Sequence, residues 1–213
     1  MRPLRLLLDG FGSYRQPTTI DFSDVDFFAL IGPTGSGKST VIDGLCFALY
    51  GTVPRWGKTN VITEALAPAT AKCEVCLVFE SAGRRYAAIR LLTRDNKGQV
   101  HTKDARLERL DEAVPPDAPL AGLLAASVEQ IAEGPDGVTS QVQGILGLTY
   151  EHFTQSVLLP QGQFERFLRA NAAKRQDLLV ELLAFGVYDQ VGQRARSRAG
   201  LAAQQRQLAQ DNL

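Results

Sequence analysis

Short clusters of apolar residues alternate with polar turns in the first quarter of the chain and predict strands ahead of a helix. Residues 4–8 and 18–22 have the composition of strands on either side of a turn region. The apolar run 27–31 (FFALI) predicts a third, buried strand, and residues 41–50 carry apolar side chains at helical spacing. We therefore expect three strands to precede the first helix.

The middle of the chain has a different pattern, which predicts an antiparallel β meander over about residues 71–110. Turn residues at 81–83 and 95–98 separate its strands. A proline-rich loop follows at 114–119, and residues 120–148 have a mostly helical pattern that is broken at 134–137. Thr149 is placed to act as the N-cap of another short helix.

The last part of the chain has helix composition. From residue 171 onward there is no proline and no alternation, and Ala, Gln, Arg and Leu are abundant. Large apolar residues are sparse after residue 187, so this helix cannot form a buried element alone. Two interpretations stay open: a solvated helix end, or the start of a coiled coil whose second helix lies elsewhere.

Composition and charge narrow the class of protein. The chain has 213 residues, 45% of them hydrophobic, and a formal net charge of zero. This balance gives no electrostatic argument for nucleic acid or for an acidic membrane, although a local basic patch remains compatible with it. No apolar run approaches the roughly 18 residues of a membrane span. We expect a cytoplasmic protein with no membrane partner.

The cysteines fit the same compartment. Cys73 and Cys76 form a C-x-x-C pair, which raises the alternative of a metal site. In a strand, however, residues three apart point to opposite faces, and no second ligand pair follows. Together with Cys46, they are better interpreted as buried structural residues.

A phosphate-binding loop follows the run 27–31. Residues 32–40 (GPTGSGKST) match G-x-x-x-x-G-K-S/T, whose backbone N–H groups surround phosphate oxygens at a helix N-terminus. In this motif Lys38 reaches the β- and γ-phosphates, Ser39 binds the Mg²⁺, and Thr40 lies near the α-phosphate. The alternative is a glycine-rich turn before a core helix. The predicted nucleotide-binding residues are Gly32, Pro33, Thr34, Gly35, Ser36, Gly37, Lys38, Ser39 and Thr40.

Three segments together resemble one known family. Residues 11–14 (FGSY), the P-loop with residues 42–51 (IDGLCFALYG), and residues 153–164 (FTQSVLLPQGQF) are similar to the SbcC family of exonuclease subunits. The resemblance implies an α/β fold, the N-terminal lobe of a P-loop ABC-type ATPase with an antiparallel β meander, a helical part and the start of a coiled-coil helix. It places this lobe at residues 1–170 and the helical segment leading into the coiled coil at 171–213.

The resemblance also implies roles for individual residues. Gln161 matches the Q-loop glutamine, which helps to hold Mg²⁺ and the attacking water, so it joins Lys38 as a predicted catalytic residue. From the residues alone, the less favoured alternative is a polar residue in a Pro-Gln-Gly turn. Many relatives have an arginine where this chain has Gly12, which leaves Ser13 as the candidate in that loop. The resemblance further implies that Thr59, Asn60 and Val61 lie along the base and ribose.

Some parts that hydrolysis requires in this family are missing from the sequence. There is no apolar strand ending in Asp-Glu, no Ser-Gly-Gly signature and no switch histidine. Glu80, His101 and His152 are interpreted as ordinary residues. In the family the missing parts come from a C-terminal segment that a long antiparallel coiled coil brings back. The chain is therefore expected to be half of an ATPase.

The resulting hypothesis is the ATP-binding lobe of a machine that processes DNA ends, with ATP and Mg²⁺ as cofactors. The resemblance implies four partners: the C-terminal ATPase segment of the same protein, a second copy that dimerises on ATP, the nuclease subunit SbcD, and double-stranded DNA. A structural DNA-tethering ATPase related to the structural-maintenance-of-chromosomes (SMC) proteins is the main alternative. A small P-loop kinase is disfavoured, because the chain lacks an Arg-rich lid.

Overall fold

The computed structural model describes residues 1–25, 27–56, 62–158 and 186–211. The chain divides into two compact units, Met1–Tyr150 and Glu151–Leu213. The first unit contains the sheet and the P-loop, and the second is helical wherever it is described as regular structure. Within the described residues, every helix is too short or too polar to cross a membrane.

A single antiparallel sheet of six strands forms the centre of the first unit. Its spatial order is β2-β1-β3-β4-β5-β6, so β3, β4 and β5 are neighbours in sequence and in space. The predicted meander is therefore confirmed. The strands are β1 Arg2–Asp9, β2 Thr18–Asp21, β3 Lys72–Ser81, β4 Arg84–Arg94, β5 Val100–Leu110 and β6 Ser127–Glu133.

Helices occur where the sequence predicts the first helix, the short helix after Thr149 and the tail. Two short 3₁₀ turns, Pro54–Trp56 and Ile62–Ala65, also occur in the first unit. The mixture of an antiparallel sheet with helices confirms the predicted α/β class. The helices are α1 Lys38–Tyr50, α2 Leu120–Ala125, α3 Pro135–Leu146, α4 Tyr150–Ser156 and α5 Gly186–Asp211.

Helices α1 and α3 cover one face of the sheet. Gly44 lets α1 approach β1 closely, because a Cβ there would lie only 2.6 Å from a methyl carbon of Leu8. Phe47 of α1 packs against the rings of Phe11 and Trp56, with centroids 5.4 and 5.8 Å apart. This apolar layer fixes the helix that follows the P-loop.

The opposite face of the sheet is covered by α2 and the loop before it. Cys76, Val78 and Ile89 lie on this face and pack with Leu110 and Leu123. All three cysteines are free and buried. Among the described residues, no group of three or more His, Cys, Asp or Glu side chains is arranged to hold a metal. The burial of the three cysteines agrees with the sequence analysis.

The predicted strand at 27–31 is wrong in this structure, so two strands precede α1 instead of three. The segment has no strand partner among the described residues, and Phe27 and Ile31 are 91% and 93% exposed. Phe28 alone finds a ring contact, with Phe22 at 4.9 Å. An apolar run becomes a strand only where backbone partners exist, and the six strands present pair with one another.

The prediction of mostly helical structure over 120–148 is also wrong in part. Residues Ser127–Glu133 form strand β6, which pairs antiparallel with β5 at the edge of the sheet. β-branched Val128 and Ile131 suit a strand, and pairing with the exposed edge of β5 overrides the local helical preference. The helix resumes at α3, where Pro135 occupies its first turn as helix starts favour.

Candidate nucleotide-binding site

Helix α1 begins directly at the end of the glycine-rich loop. Its first residue is Lys38, and Gly37 is the N-cap with φ of 90°. No side chain caps this end, and no acidic residue lies in its first turn. The first N–H groups of a helix have no partner within the helix, and they carry the positive end of its dipole. The start of α1 is thus a ready site for an anion.

The ammonium of Lys38 lies over the loop rather than extending away from it. Its Nζ donates to the carbonyl oxygens of Gly32 and Pro33, at 2.8 and 2.7 Å, and lies 3.4 Å from the hydroxyl of Ser36. The loop and the start of α1 therefore place a full positive charge beside the uncapped N–H groups. Both features attract the same kind of ligand, an oxyanion.

Two positions of the loop require glycine for the same backbone reason but have different surroundings. Gly35 and Gly37 have φ of 85° and 90°, which other residues adopt only with strain. Around Gly35 a Cβ would meet nothing within 4 Å. At Gly37 it would lie 3.2 Å from the ring carbon Cε2 of Tyr14. Tyr14 is a neighbour of the P-loop that the sequence analysis quoted but gave no role.

The loop of residues 11–14 lies against the P-loop. The hydroxyl of Ser13 is 3.3 Å from that of Thr40 on α1. A Cβ on Gly12 would lie 2.7 Å from the methyl group of Thr40, so the backbone at this position approaches α1 too closely for a side chain. The structure thus brings Ser13, the candidate from this loop, together with the P-loop helix.

The remaining predicted residues fall into two groups. The side chains exposed to a ligand are those of Pro33, Thr34, Ser36 and Ser39. Lys38 is half-buried, and Thr40 is buried. Four predicted residues lie outside the described residues, and the structure does not place them. They are Thr59, Asn60, Val61 and Gln161.

An ion pair next to the loop of residues 11–14 was not predicted from the sequence. Asp43, buried on α1, pairs with Arg55, whose guanidinium also lies 3.7 Å from where a Cβ of Gly12 would be. Burial raises the pKa of Asp43, and the charge of Arg55 opposes that effect. A carboxylate on the buried side of an apolar helix was the available signal, since such a group needs a partner.

The three residues interpreted as ordinary occupy other elements of the fold: Glu80 is in β3, His101 in β5 and His152 in α4. Glu80 pairs with Arg85 across β3 and β4 at 3.1 Å. His101 pairs with Asp95 at 3.2 Å in the hairpin between β4 and β5, where both side chains are exposed. His152 lies in α4, part of the second unit.

Comparison with known families supplies a match over almost the whole chain. A family model described as an AAA domain matches residues 5–211. The SbcC component of the SbcCD nuclease of Deinococcus radiodurans is 39% identical over 90% of this chain. A probable DNA double-strand break repair Rad50 ATPase of Aquifex aeolicus is 33% identical over 92% of it. The chain spans 19% and 18% of the length of these two relatives.

The fold is also shared with a solved structure from work on ATP-driven dimerisation and DNA-stimulated activation of SMC ATPases. That structure has a TM-score of 0.55, is 20% identical, and covers 85% of this chain and 99% of its own. At this identity the likeness establishes the fold alone. With the matches above, it confirms the resemblance predicted from the sequence: the chain belongs to the AAA domain family and is similar to the N-terminal ATPase segment of SbcC and Rad50 proteins.

Proposed function

We propose that this chain is the ATP-binding half of an ATPase that acts at DNA double-strand breaks or hairpins, dimerises on ATP and controls a partner nuclease. The observation that carries the proposal is the start of α1. There, uncapped N–H groups, two glycines with positive φ and the ammonium of Lys38 converge on one loop. The names of the relatives supply the DNA and nuclease context.

The residues present fit a nucleoside triphosphate. Lys38 exchanges its bonds to the carbonyls of Gly32 and Pro33 for bonds to phosphate oxygens, which are stronger because they join opposite charges. The loop N–H groups would hold the β-phosphate, and Thr40 would lie nearest the α-phosphate. Bound Mg²⁺ supplies charge neutralisation on the phosphates. The exposed hydroxyl of Ser39, in the first turn of α1, would hold that ion from the protein side.

Further residues complete this site by analogy with the family. Gln161 would orient water and hold the metal together with Ser39, while Thr59, Asn60 and Val61 would lie along the base and ribose. Ser13 supports the site through Thr40, since their hydroxyls are 3.3 Å apart. On the same basis we assign residues 1–170 to the ATPase lobe and 171–213 to a helical segment leading into a coiled coil.

The chain alone should bind ATP with little or no turnover. Its sequence lacks the Asp-Glu strand and the Ser-Gly-Gly signature that hydrolysis in this family uses. The apolar segment 27–31 lies next to the P-loop, and its side chains Phe27 and Ile31 are almost fully exposed. This exposure supports the proposal that another segment packs against it. Such a patch marks an interaction surface. We assign it to the C-terminal ATPase segment of the same protein, which then supplies the missing groups.

The other proposed partners are a second copy of the protein, the nuclease subunit SbcD and double-stranded DNA. ATP held between two copies acts as a clamp, because it favours the closed dimer over the open one. Hydrolysis removes that preference and reopens the dimer. In this scheme the nuclease responds to the state of the ATPase.

The test is to express the chain with and without the C-terminal segment and to measure ATP binding, ATPase rate and ATP-dependent dimerisation. We expect binding in both samples, and turnover and dimerisation only with the segment. High turnover by the chain alone would contradict the proposal. Purification of the full-length protein without any nuclease would favour the SMC-like tethering alternative.

A further inference from the structure

A buried arginine on the sheet contacts the end of α1 that is farthest from the P-loop. Arg90 of β4 is only 2% exposed. Its Nε donates to the carbonyl oxygen of Ala48 at 3.0 Å, and its Nη2 donates to that of Leu49 at 3.1 Å. One guanidinium therefore satisfies two of the last carbonyls of α1, which have no partner within the helix.

A third carbonyl of this turn is also bonded. The carbonyl of Phe47 accepts a bond of 2.8 Å from the backbone N–H of Gly51. The hydroxyl of Thr139 lies 2.8 Å from the carbonyl of Pro135, to which it donates, and 3.4 Å from that of Tyr50. Gly51 has φ of 70°, and a Cβ there would lie 3.0 Å from Nη1 of Arg90. The absence of a side chain at position 51 therefore leaves room for the guanidinium.

The same guanidinium bonds α3. Its Nη2 donates to the hydroxyl of Thr139 at 3.0 Å, and its Nη1 lies 3.4 Å from the carbonyl of Pro135. At the other end of α3, the hydroxyl of Tyr50 donates to the carbonyl of Leu148 at 3.0 Å. The last turn of α1 is thus bonded near both ends of α3, with Arg90 at the centre of one of these connections.

The electrostatics distinguish Arg90 from the other buried arginine of its strand. Arg85, on the opposite face of β4, pairs with the carboxylate of Glu80. For Arg90 no ion pair occurs within the described residues, and its direct partners are carbonyls and a hydroxyl. Burial lowers the pKa of Arg90 to about 10, with Asp136 opposing the change, so it stays protonated at neutral pH. The negative end of the α1 dipole stabilises this cation.

We propose that Arg90 is a positioning residue for ATP hydrolysis, which sets the orientation of α1 through its last turn and thereby the positions of Lys38 and Ser39 at its first. The inference rests on the proposed function above. Helix α1 is about 20 Å long and behaves as one rigid element, so a tilt at one end moves the other. Reaction rates are more sensitive than binding to displacements of about 1 Å.

The experiment compares Arg90→Met, Arg90→Lys and the matched control Arg85→Met in the full-length protein. For each we measure kcat, the Kd for ATP and the melting temperature. Arg90→Met should lower kcat at least tenfold and change Kd less than threefold. Arg90→Lys, which keeps the charge and one carbonyl bond, should recover part of the rate. Arg85→Met should keep kcat within twofold of the wild type, even where its melting temperature falls.

A kcat for Arg90→Met within twofold of that of Arg85→Met would overturn the proposal. If Arg90→Met does not fold, Arg90→Lys decides: a fivefold loss of kcat at a near-normal melting temperature supports the role, and a rate within twofold of wild type overturns it. A wild-type protein without ATPase activity would instead refute the proposed function. Amide exchange along α1 in the same samples then still shows whether Arg90 holds the helix.

Discussion

The two ends of helix α1 are built in opposite ways. At its C-terminal end the carbonyls of Ala48 and Leu49 accept hydrogen bonds from Arg90, and that of Phe47 accepts one from the N–H of Gly51. At its N-terminal end no side chain caps the N–H groups, and the ammonium of Lys38 donates to the carbonyls of the preceding loop. The carbonyls at the C-terminal end are hydrogen-bonded within the protein, whereas the N–H groups at the N-terminal end are available to a ligand.

The difference shows how a functional site is recognised from hydrogen bonding alone. Backbone groups at helix ends need partners, and a folded chain normally provides them. Where one end of a helix is fully bonded and the other is not, the open end is a candidate for binding. In α1 the open end coincides with the P-loop, and the buried end is anchored on the sheet.

The largest expected contrast is in cysteine reactivity along α1. Burial raises the pKa of Cys46 to about 12, and Asp43 adds to that effect. Since the thiolate reacts, alkylation of Cys46 at pH 8 should be roughly a thousandfold slower than that of an unburied thiol. The control is Ser39→Cys at the exposed end, which should react at least at the ordinary rate, because the helix N-terminus and Lys38 favour the thiolate. Equal alkylation rates at the two positions would contradict the predicted difference between the two ends of α1.

The same argument gives the pH dependence for the whole set of cysteines. Burial raises the pKa of Cys73 and Cys76 to about 12 as well. The rate of alkylation in the native protein should therefore keep rising with pH beyond pH 10, whereas in denaturant it levels off near pH 9 to 10. Rapid labelling of the native protein at pH 8 would show that these side chains are accessible.

The next largest effect is expected on ATP affinity, from a substitution at the N-terminal end of α1. Gly37→Ala places a residue with a side chain at φ of 90° and against the ring of Tyr14, which costs about 1–3 kcal/mol. We expect ATP affinity, measured by calorimetry, to fall about tenfold or more. Gly35→Ala is the matched control, because its φ is similar but its surroundings are open. An equal loss in both variants would exclude the contact with Tyr14 as a cause.

Substitutions at the C-terminal end of α1 should change the stability of the protein rather than its affinity for ATP. Gly51→Ala introduces strain at φ of 70° and crowds the guanidinium of Arg90, so the free energy of unfolding should fall by about 2 kcal/mol. ATP affinity should stay within about twofold of wild type. Gly147→Ala, at the end of α3, has φ of 68° without crowding and should lose less. Denaturant unfolding measures the free energy of unfolding of both variants, and an equal loss in the two would contradict the prediction.

The smallest effect is expected at the contact between Ser13 and Thr40. Ser13→Ala removes one long hydrogen bond, worth about 0.5–1.5 kcal/mol at most, so ATP affinity should fall no more than about threefold to tenfold. Thr40→Val removes the other partner. In a double-mutant cycle the two losses should not add, since they break the same bond. Full additivity would show that the two hydroxyls act separately.

Local pattern was enough to predict the parts of the fold that depend on neighbours in sequence. The meander and the extent of α1 follow from alternation, turn residues and helical spacing. The run 27–31 and strand β6 were mispredicted because a strand is decided by its pairing partner, which a local pattern does not contain.

The candidate site shows the same division. The P-loop motif itself, with its glycines and lysine, was readable because its chemistry is contiguous in sequence. The contacts of Tyr14 with Gly37, and of Arg90 with Ala48, join residues far apart in the chain and required the fold. An arginine flanked by apolar residues in the middle of β4 was the available signal for the second contact, and it does not say what the arginine bonds.

The most direct test is a calorimetric titration of the full-length protein with ATP and Mg²⁺, for the wild type, Lys38→Ala and the control Lys97→Ala. Lys97 is an exposed lysine in the hairpin between β4 and β5. Loss of a charge-assisted bond costs about 1.5–3 kcal/mol, so Lys38→Ala should weaken binding roughly tenfold to a hundredfold, while Lys97→Ala leaves it unchanged. Equal affinity for ATP in all three proteins would contradict the assignment of the open end of α1 as the nucleotide site.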